Sequence, residues 1–208
     1  MRVKVCGITT WEDALAAVDA GVDALGFNFY RPSPRYIDPD SARCIISRLP
    51  PFVVPVGLFV NVTAPEEVDK TARAARVQVL QLHGDEPPDY CRALADWPLI
   101  KALRVGPDPI RIDFDRYPVS AFLLDSLDEI LWGGTGKAFE WQLAAELRRD
   151  HPIILSGGLR PENVARAIRT VRPFAVDVCS GVEHSPGRKD AARLRAFMCE
   201  VNNASQSL

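Results

Sequence analysis

Short apolar runs and amphipathic stretches alternate along the whole chain. The apolar runs fall at 2–6, 23–29, 53–60, 77–82, 99–104, 119–124, 152–156 and 174–179, eight in all. Between them, helical patterns occupy 11–20, 39–48, 65–75, 87–96, 139–149 and 161–171, with a last one at 188–201. Segment 107–117 is rich in Pro and Asp, so any helix there is short or irregular. Each strand-plus-helix unit takes roughly 26 residues, a spacing that predicts right-handed βαβ units and a parallel sheet. Helix starts are marked where this scheme needs them: Thr10 precedes Glu12 and Asp13, while Pro65 and Pro161 stand near first helical positions with acidic residues following. Gly21 sits just past the first helix, as a C-terminal Gly should.

Eight such units with no break in composition predict an α/β fold, a single-domain (β/α)8 TIM barrel over residues 1–201, with the polar tail 202–208 expected to fray. An open doubly wound sheet is the alternative. No G-x-G-x-x-G follows the first strand, which disfavours a dinucleotide fold.

In a parallel barrel, ligands bind at the C-terminal ends of the strands. Cys6 ends the first run, where a thiolate can serve as base or nucleophile. Strand alternation puts Val3 and Val5 on one face and Lys4 and Cys6 on the other, inside the barrel. There Lys4 either lowers the thiol pKa, pairs with an interior carboxylate, or does both. Asp125 closes the sixth run. It is either a turn-capping residue or, beside Phe122 and Leu124, an acid whose pKa burial raises. Gly157-Gly158 after the seventh run and Ser180-Gly181 after the eighth match the usual phosphate site of a barrel, although two ordinary tight turns would look alike. The Pro-stiffened loop 30–36 carries Arg31 and Arg35, suited to hold a carboxylate or else simply solvated. His83 ends the fourth run and is equally a site residue or a structural one. The loop Trp132-Gly133-Gly134-Thr135-Gly136-Lys137 lacks P-loop spacing but has the glycine content of a mobile lid.

The remaining numbers narrow the partners. Net charge over 208 residues is −2, with no basic excess for a nucleic-acid backbone. No apolar run nears the ~18 residues of a membrane span, and the first residues read as a strand rather than a leader. The expectation is therefore a cytoplasmic protein without nucleic-acid or membrane partners. Five cysteines, widely spaced and without a CxxC pair, argue against a disulfide framework or structural zinc. Cys44, Cys91 and Cys199 read as small buried hydrophobes on helices; Cys6 and Cys179 stand apart at strand ends. His83, His151 and His184 show no metal-ligand spacing.

Taken together, Lys4-Val5-Cys6-Gly7-Ile8-Thr9, Gly26-Phe27-Asn28-Phe29 with Ser33-Pro34-Arg35, Val56-Gly57-Leu58-Phe59-Val60 and Leu80-Gln81-Leu82-His83-Gly84-Asp85-Glu86 resemble phosphoribosylanthranilate isomerases of tryptophan biosynthesis. So do Leu124-Asp125, Gly133 to Lys137, Leu155 to Leu159 and Asp177 to Glu183, in order over nearly the whole chain. Ala138 and Glu140 depart from the family's usual Thr and Asp. The resemblance implies an Amadori rearrangement of N-(5-phosphoribosyl)anthranilate, with Asp125 as general acid and Cys6 as general base. It further implies Arg35 on the anthranilate carboxylate, and the backbone of Gly157, Gly158, Ser180 and Gly181 on the phosphate. Asp177 would face the sugar, and His83 would line the site. A substrate imine would be the electron sink, so no metal or organic cofactor is expected. The partner is then a phosphorylated small molecule, and the chain a monomer or homodimer.

Two alternatives compete. The isomerase of histidine biosynthesis performs the same rearrangement, but resembles a duplicated half-barrel with Asp where Cys6 stands and a phosphate site in each half. Here the loop Phe59-Val60-Asn61-Val62 lacks the second glycine turn. A non-catalytic phosphoribosyl-binding protein would keep the glycine turns but has no need of both Cys6 and Asp125. Indole-glycerol phosphate synthase would require a Lys acid and an N-terminal extension, neither of which is seen.

Overall fold

The computed structural model describes residues 1–105, 113–126, 144 and 150–206. Eight parallel strands close into a barrel in chain order: β1 (Arg2–Cys6), β2 (Ala24–Asn28), β3 (Val54–Phe59), β4 (Val79–Leu82), β5 (Leu99–Val105), β6 (Ala121–Ser126), β7 (Ile153–Leu155) and β8 (Ala175–Val178). β8 pairs back onto β1 with Lys4 beside Asp177 and Val5 beside Val178. The described helices are α1 (Trp11–Asp19), α2 (Pro39–Ile46), α3 (Pro65–Ala75), α4 (Pro88–Ala93), α5 (Pro161–Val171) and α6 (Ala191–Ser205). The expected helix at 139–149 and the glycine-rich loop 132–137 lie outside the described residues. No helix among those described is long and apolar enough to cross a membrane.

Side chains alternate across every strand, and each face packs differently. Val56, Ile100, Ala102, Ala121, Leu123, Ile154 and Ala175 fill the barrel interior. Val3, Val5, Leu25, Phe27, Leu80, Leu82, Phe122 and Val176 face outward under the helices, where Ala14, Val68, Ile168 and Phe197 meet them. Lys4 and Cys6 therefore point inward, as the alternation predicts.

Two expectations fail at the C-terminal end. The helical pattern starting at 188 is preceded by a two-stranded hairpin, β9 (Glu183–Ser185) with β10 (Arg188–Lys189), and α6 opens only at Ala191, capped by Asp190. The supposed frayed tail is helix as far as Ser205, because Val201 and Ala204 are buried and their packing outweighs the poor helix propensity of Asn202 and Asn203. Of the three cysteines expected to be buried on helices, only Cys91 is; Cys44 and Cys199 are exposed.

Candidate active site

Cys6, Arg35, His83, Asp125, Gly157, Gly158, Asp177 and Ser180 line one pocket of about 250 Å³ at the C-terminal mouth of the barrel, open to solvent. Gly181 lies behind it, lining an adjoining hollow with Arg160 and Arg193. Arg31 is exposed and faces Tyr36 rather than the pocket. The pocket also takes Asn28, Ser33, Gln81, Ser156 and Cys179, which were not assigned from sequence.

The thiol side is built by the β8–β1 closure. Lys4 Nζ donates to Asp177 Oδ1 at 2.9 Å, both side chains buried on the barrel floor. Burial pushes Asp177 up to about 6, against the pull of Lys4. Lys4 is shifted upward although burial opposes it, because Asp177 and the Cys6 thiolate both favour the ammonium. The two partners are thus drawn in opposite senses, the carboxylate towards neutrality and the ammonium towards charge. The 2.9 Å contact and an Asp177 value of about 6, still below neutrality although the thiolate raises it, argue that the pair is ionised at neutral pH. Both readings of Lys4 hold: it pairs with a carboxylate and acts on the thiol.

Cys6 is held well below the usual thiol range. The neighbouring Cys179 thiol is the main cause; burial opposes it, and the charges of Lys4, Lys189 and His83 assist. Cys179, whose Sγ lies 3.8 Å from Glu183 Oε1, is pushed well above that range by Cys6 and by burial. One thiol of the pair is thereby the ionised one, and it is Cys6. Lys189, fully buried, donates to Cys6 O at 2.5 Å and to Glu183 Oε1 at 2.8 Å. The β9–β10 hairpin exists to bring it there, and no sequence signal marked it.

Glu183 connects this side to the ligand loop. It accepts from Arg35 Nε at 3.0 and 3.1 Å and from Arg35 Nη2 at 2.7 Å. Burial works against the Glu183 carboxylate, but Arg35 and Lys189 outweigh it and the net shift is downward. A guanidinium presents two bidentate edges. Glu183 occupies the Nε–Nη2 edge, leaving the Nη1 side for a carboxylate in the pocket.

On the opposite side, Asp125 Oδ2 lies 3.0 Å from His83 Nε2, and His83 Nδ1 lies 2.8 Å from Gln81 Nε2. The Asp125 side chain is 34% exposed, so the apolar enclosure expected around it is absent; its neighbour is an imidazole. The turn after β4 is pinned from below. Glu86 accepts from the Asn61 and Gly84 N–H groups and from Lys101 Nζ, a buried ion pair that fixes the residues following His83.

The glycine turns have room for an anion. Gly157 and Gly158 take φ +78° and +59°, which a residue with Cβ rarely adopts. Asn163 accepts from Arg160 N–H and donates to Gly158 O, locking this turn to the start of α5. A Cβ on Gly181 would stand 1.9 Å from Leu159 O, so the two turns touch backbone to backbone. Gly181→Ala should therefore separate them, costing about 1–3 kcal/mol in stability and raising KM for a phosphorylated ligand. An unchanged denaturation midpoint together with an unchanged KM would refute this.

Residues 3–200 match the family model for N-(5′-phosphoribosyl)anthranilate isomerase. The isomerase of Trichlorobacter lovleyi is 54% identical, covering 100% of both chains. A solved phosphoribosylanthranilate isomerase in complex with reduced 1-(o-carboxyphenylamino)-1-deoxyribulose 5-phosphate is 44% identical, with TM-score 0.84 over 98% of this chain and 99% of that one. A structure of monomers generated from the dimeric enzyme of Thermotoga maritima is 42% identical, with TM-score 0.82 and the same coverage.

Proposed function

The chain belongs to the N-(5′-phosphoribosyl)anthranilate isomerase family, and from that premise we propose how its own residues carry the reaction. It is an isomerase of tryptophan biosynthesis, converting N-(5-phosphoribosyl)anthranilate to 1-(2-carboxyphenylamino)-1-deoxyribulose 5-phosphate. The histidine-pathway and binding-protein alternatives give way to the family match.

Asp125 is the general acid. It protonates the furanose ring oxygen; the C–O bond breaks and the anilino nitrogen supplies the electrons, leaving a protonated imine. Cys6, as thiolate, removes the C2 proton. The bonding pair moves towards the imine to give an enolamine, which loses its hydroxyl proton and gains one at C1 to become the ketone. The base is ready near neutral pH because its surroundings hold the Cys6 thiol well below its usual range. The observation that carries this reading is the single pocket in which Cys6 and Asp125 line the mouth together with Arg35 and both glycine turns. Arg35 would hold the anthranilate carboxylate, and the backbone of Gly157, Gly158, Ser180 and Gly181 the phosphate. His83 would orient Asp125, and Asp177 would fix Lys4 beneath the sugar. We place the enzyme in the cytoplasm as a monomer or homodimer.

The test is turnover of phosphoribosylanthranilate generated in situ from anthranilate and phosphoribosyl pyrophosphate, followed by loss of substrate fluorescence. Absence of turnover by folded protein would overturn the assignment. Arg35→Ala should raise KM about 10- to 100-fold, as expected for losing a charge-assisted bidentate contact, with a smaller change in kcat. An unchanged KM would remove Arg35 from the carboxylate.

A further inference from the structure

We propose that Cys6 and Cys179 form an oxidisable dithiol, closed to a disulfide by a peroxide and reopened by a thiol reductant. The motif reading absorbed Cys6 as the base and left Cys179 without a role, and 172 positions of sequence separate two thiols that the barrel closure brings together.

The geometry comes from the β8–β1 register. Lys4 stands beside Asp177 and Val5 beside Val178; Cys6 and Cys179 are the next residues of the two strands beyond this register, and both line the pocket mouth. Neighbouring strands lie about 4.8 Å apart, within the roughly 4.4–6.8 Å Cα separation a disulfide tolerates. A Cβ on Gly7, the residue after Cys6, would stand 3.2 Å from Cys179 Sγ, so the second thiol lies against the end of β1. Lys189 spans the pair, 2.5 Å from Cys6 O and 3.8 Å from Cys179 Sγ. Both cysteines line the open pocket, so a small oxidant reaches them through the substrate's own entrance. An electropositive, solvent-reachable thiolate with a second thiol beside it is the arrangement in which sulfenic acid is captured rather than further oxidised.

The steps balance. The Cys6 thiolate attacks the peroxide; an S–O bond forms, the O–O bond breaks, and hydroxide leaves. Cys6 sulfur is oxidised by two electrons and the peroxide is reduced. Cys179 then gives up its proton and attacks the Cys6 sulfenic sulfur, forming S–S as S–O breaks and water leaves. Two thiols and one hydrogen peroxide yield one disulfide and two waters. Thiol–disulfide exchange reverses the state.

The test uses the full chain carrying Cys44→Ser and Cys199→Ser, which removes the two exposed thiols. After removal of reductant, hydrogen peroxide is added, and intact mass, free-thiol count and proteolytic peptides are followed beside turnover. The expected product is two hydrogens lighter, with a Cys6–Cys179 cross-linked peptide. Turnover should fall at least about 100-fold, as for loss of a general base, and return with dithiothreitol. With Cys179→Ser added, Cys6 should instead gain two or three oxygens, with no cross-link and no recovery. A protein that keeps both thiols, or that gains oxygens at Cys6 with Cys179 intact, overturns the proposal. The activity arm rests on Cys6 being the base, and the mass arm does not: a cross-link formed without loss of turnover upholds the dithiol and removes Cys6 from the chemistry.

Discussion

Cys6→Ser is expected to lower kcat by about 10²- to 10⁴-fold while leaving the thermal midpoint within a few degrees of wild type. The substitution changes one buried atom, so the packing around β1 persists, and a serine hydroxyl does not ionise near neutral pH even beside Lys4 and Lys189. On the proposed mechanism the loss should fall on kcat rather than KM, because Cys6 would act at C2 while the carboxylate and phosphate would be held elsewhere. A kcat within about threefold of wild type would end the assignment of Cys6 as base. The tuning of the thiol can be tested separately. Cys179→Ala removes the neighbouring thiol that contributes most to holding Cys6 ionised. The thiolate then becomes less favoured, its pKa rises, and the acid limb of kcat/KM should move to higher pH. Thiolate ultraviolet absorbance should titrate with the same shift. An unmoved limb would mean that Cys179 does not act on the base.

How far this site could be read in advance depends on what each residue answers to. Cys6, Asp125, His83 and the glycine turns were visible because each ends an apolar run, and in a parallel barrel every such end opens on one mouth. The runs themselves stand out because strands under helices are apolar on both faces. Lys189 and Glu183 obey no such rule. Lys189 stands in a segment whose spacing continues the α6 pattern backwards, and Glu183 closes the stretch after β8; only the β9–β10 hairpin turns Lys189 inward to reach Cys6 O. The meeting of Cys6 and Cys179 in one pocket likewise depends on how β8 closes onto β1, a relation between the two ends of the chain that periodicity cannot report. Arg35 was legible as a carboxylate ligand, but its partner Glu183 was not, because the loop after β2 and the turn after β8 meet only in the closed barrel. Asp125 was expected to be tuned by Phe122 and Leu124. Those side chains are buried on the outer face of β6, and the carboxyl group meets His83 instead.

That contact sets the second large effect. Asp125→Asn should lower kcat by about 10²- to 10⁴-fold, since an amide keeps the shape of the carboxyl group but has no proton to give the ring oxygen. Asn can still meet His83 Nε2 at the 3.0 Å that Asp125 Oδ2 holds, so a loss reports proton transfer rather than a collapsed pocket. The partner of that contact depends on Gln81. With the Gln81 amide N–H donating to His83 Nδ1, the imidazole proton sits on Nε2 and donates to an Asp125 carboxylate, while Gln81 Oε1 is buried without a partner. Turning the amide over lets Nδ1–H donate to Oε1, and Nε2 then accepts a proton from Asp125–OH, the form an acid must have before the ring opens. His83 thus works through Asp125. Its removal by His83→Ala should cost less than Asp125→Asn, and the double variant should be no slower than Asp125→Asn alone, because both substitutions interrupt one hydrogen bond. Fully additive losses measured by substrate fluorescence would instead place His83 in direct contact with the reacting sugar.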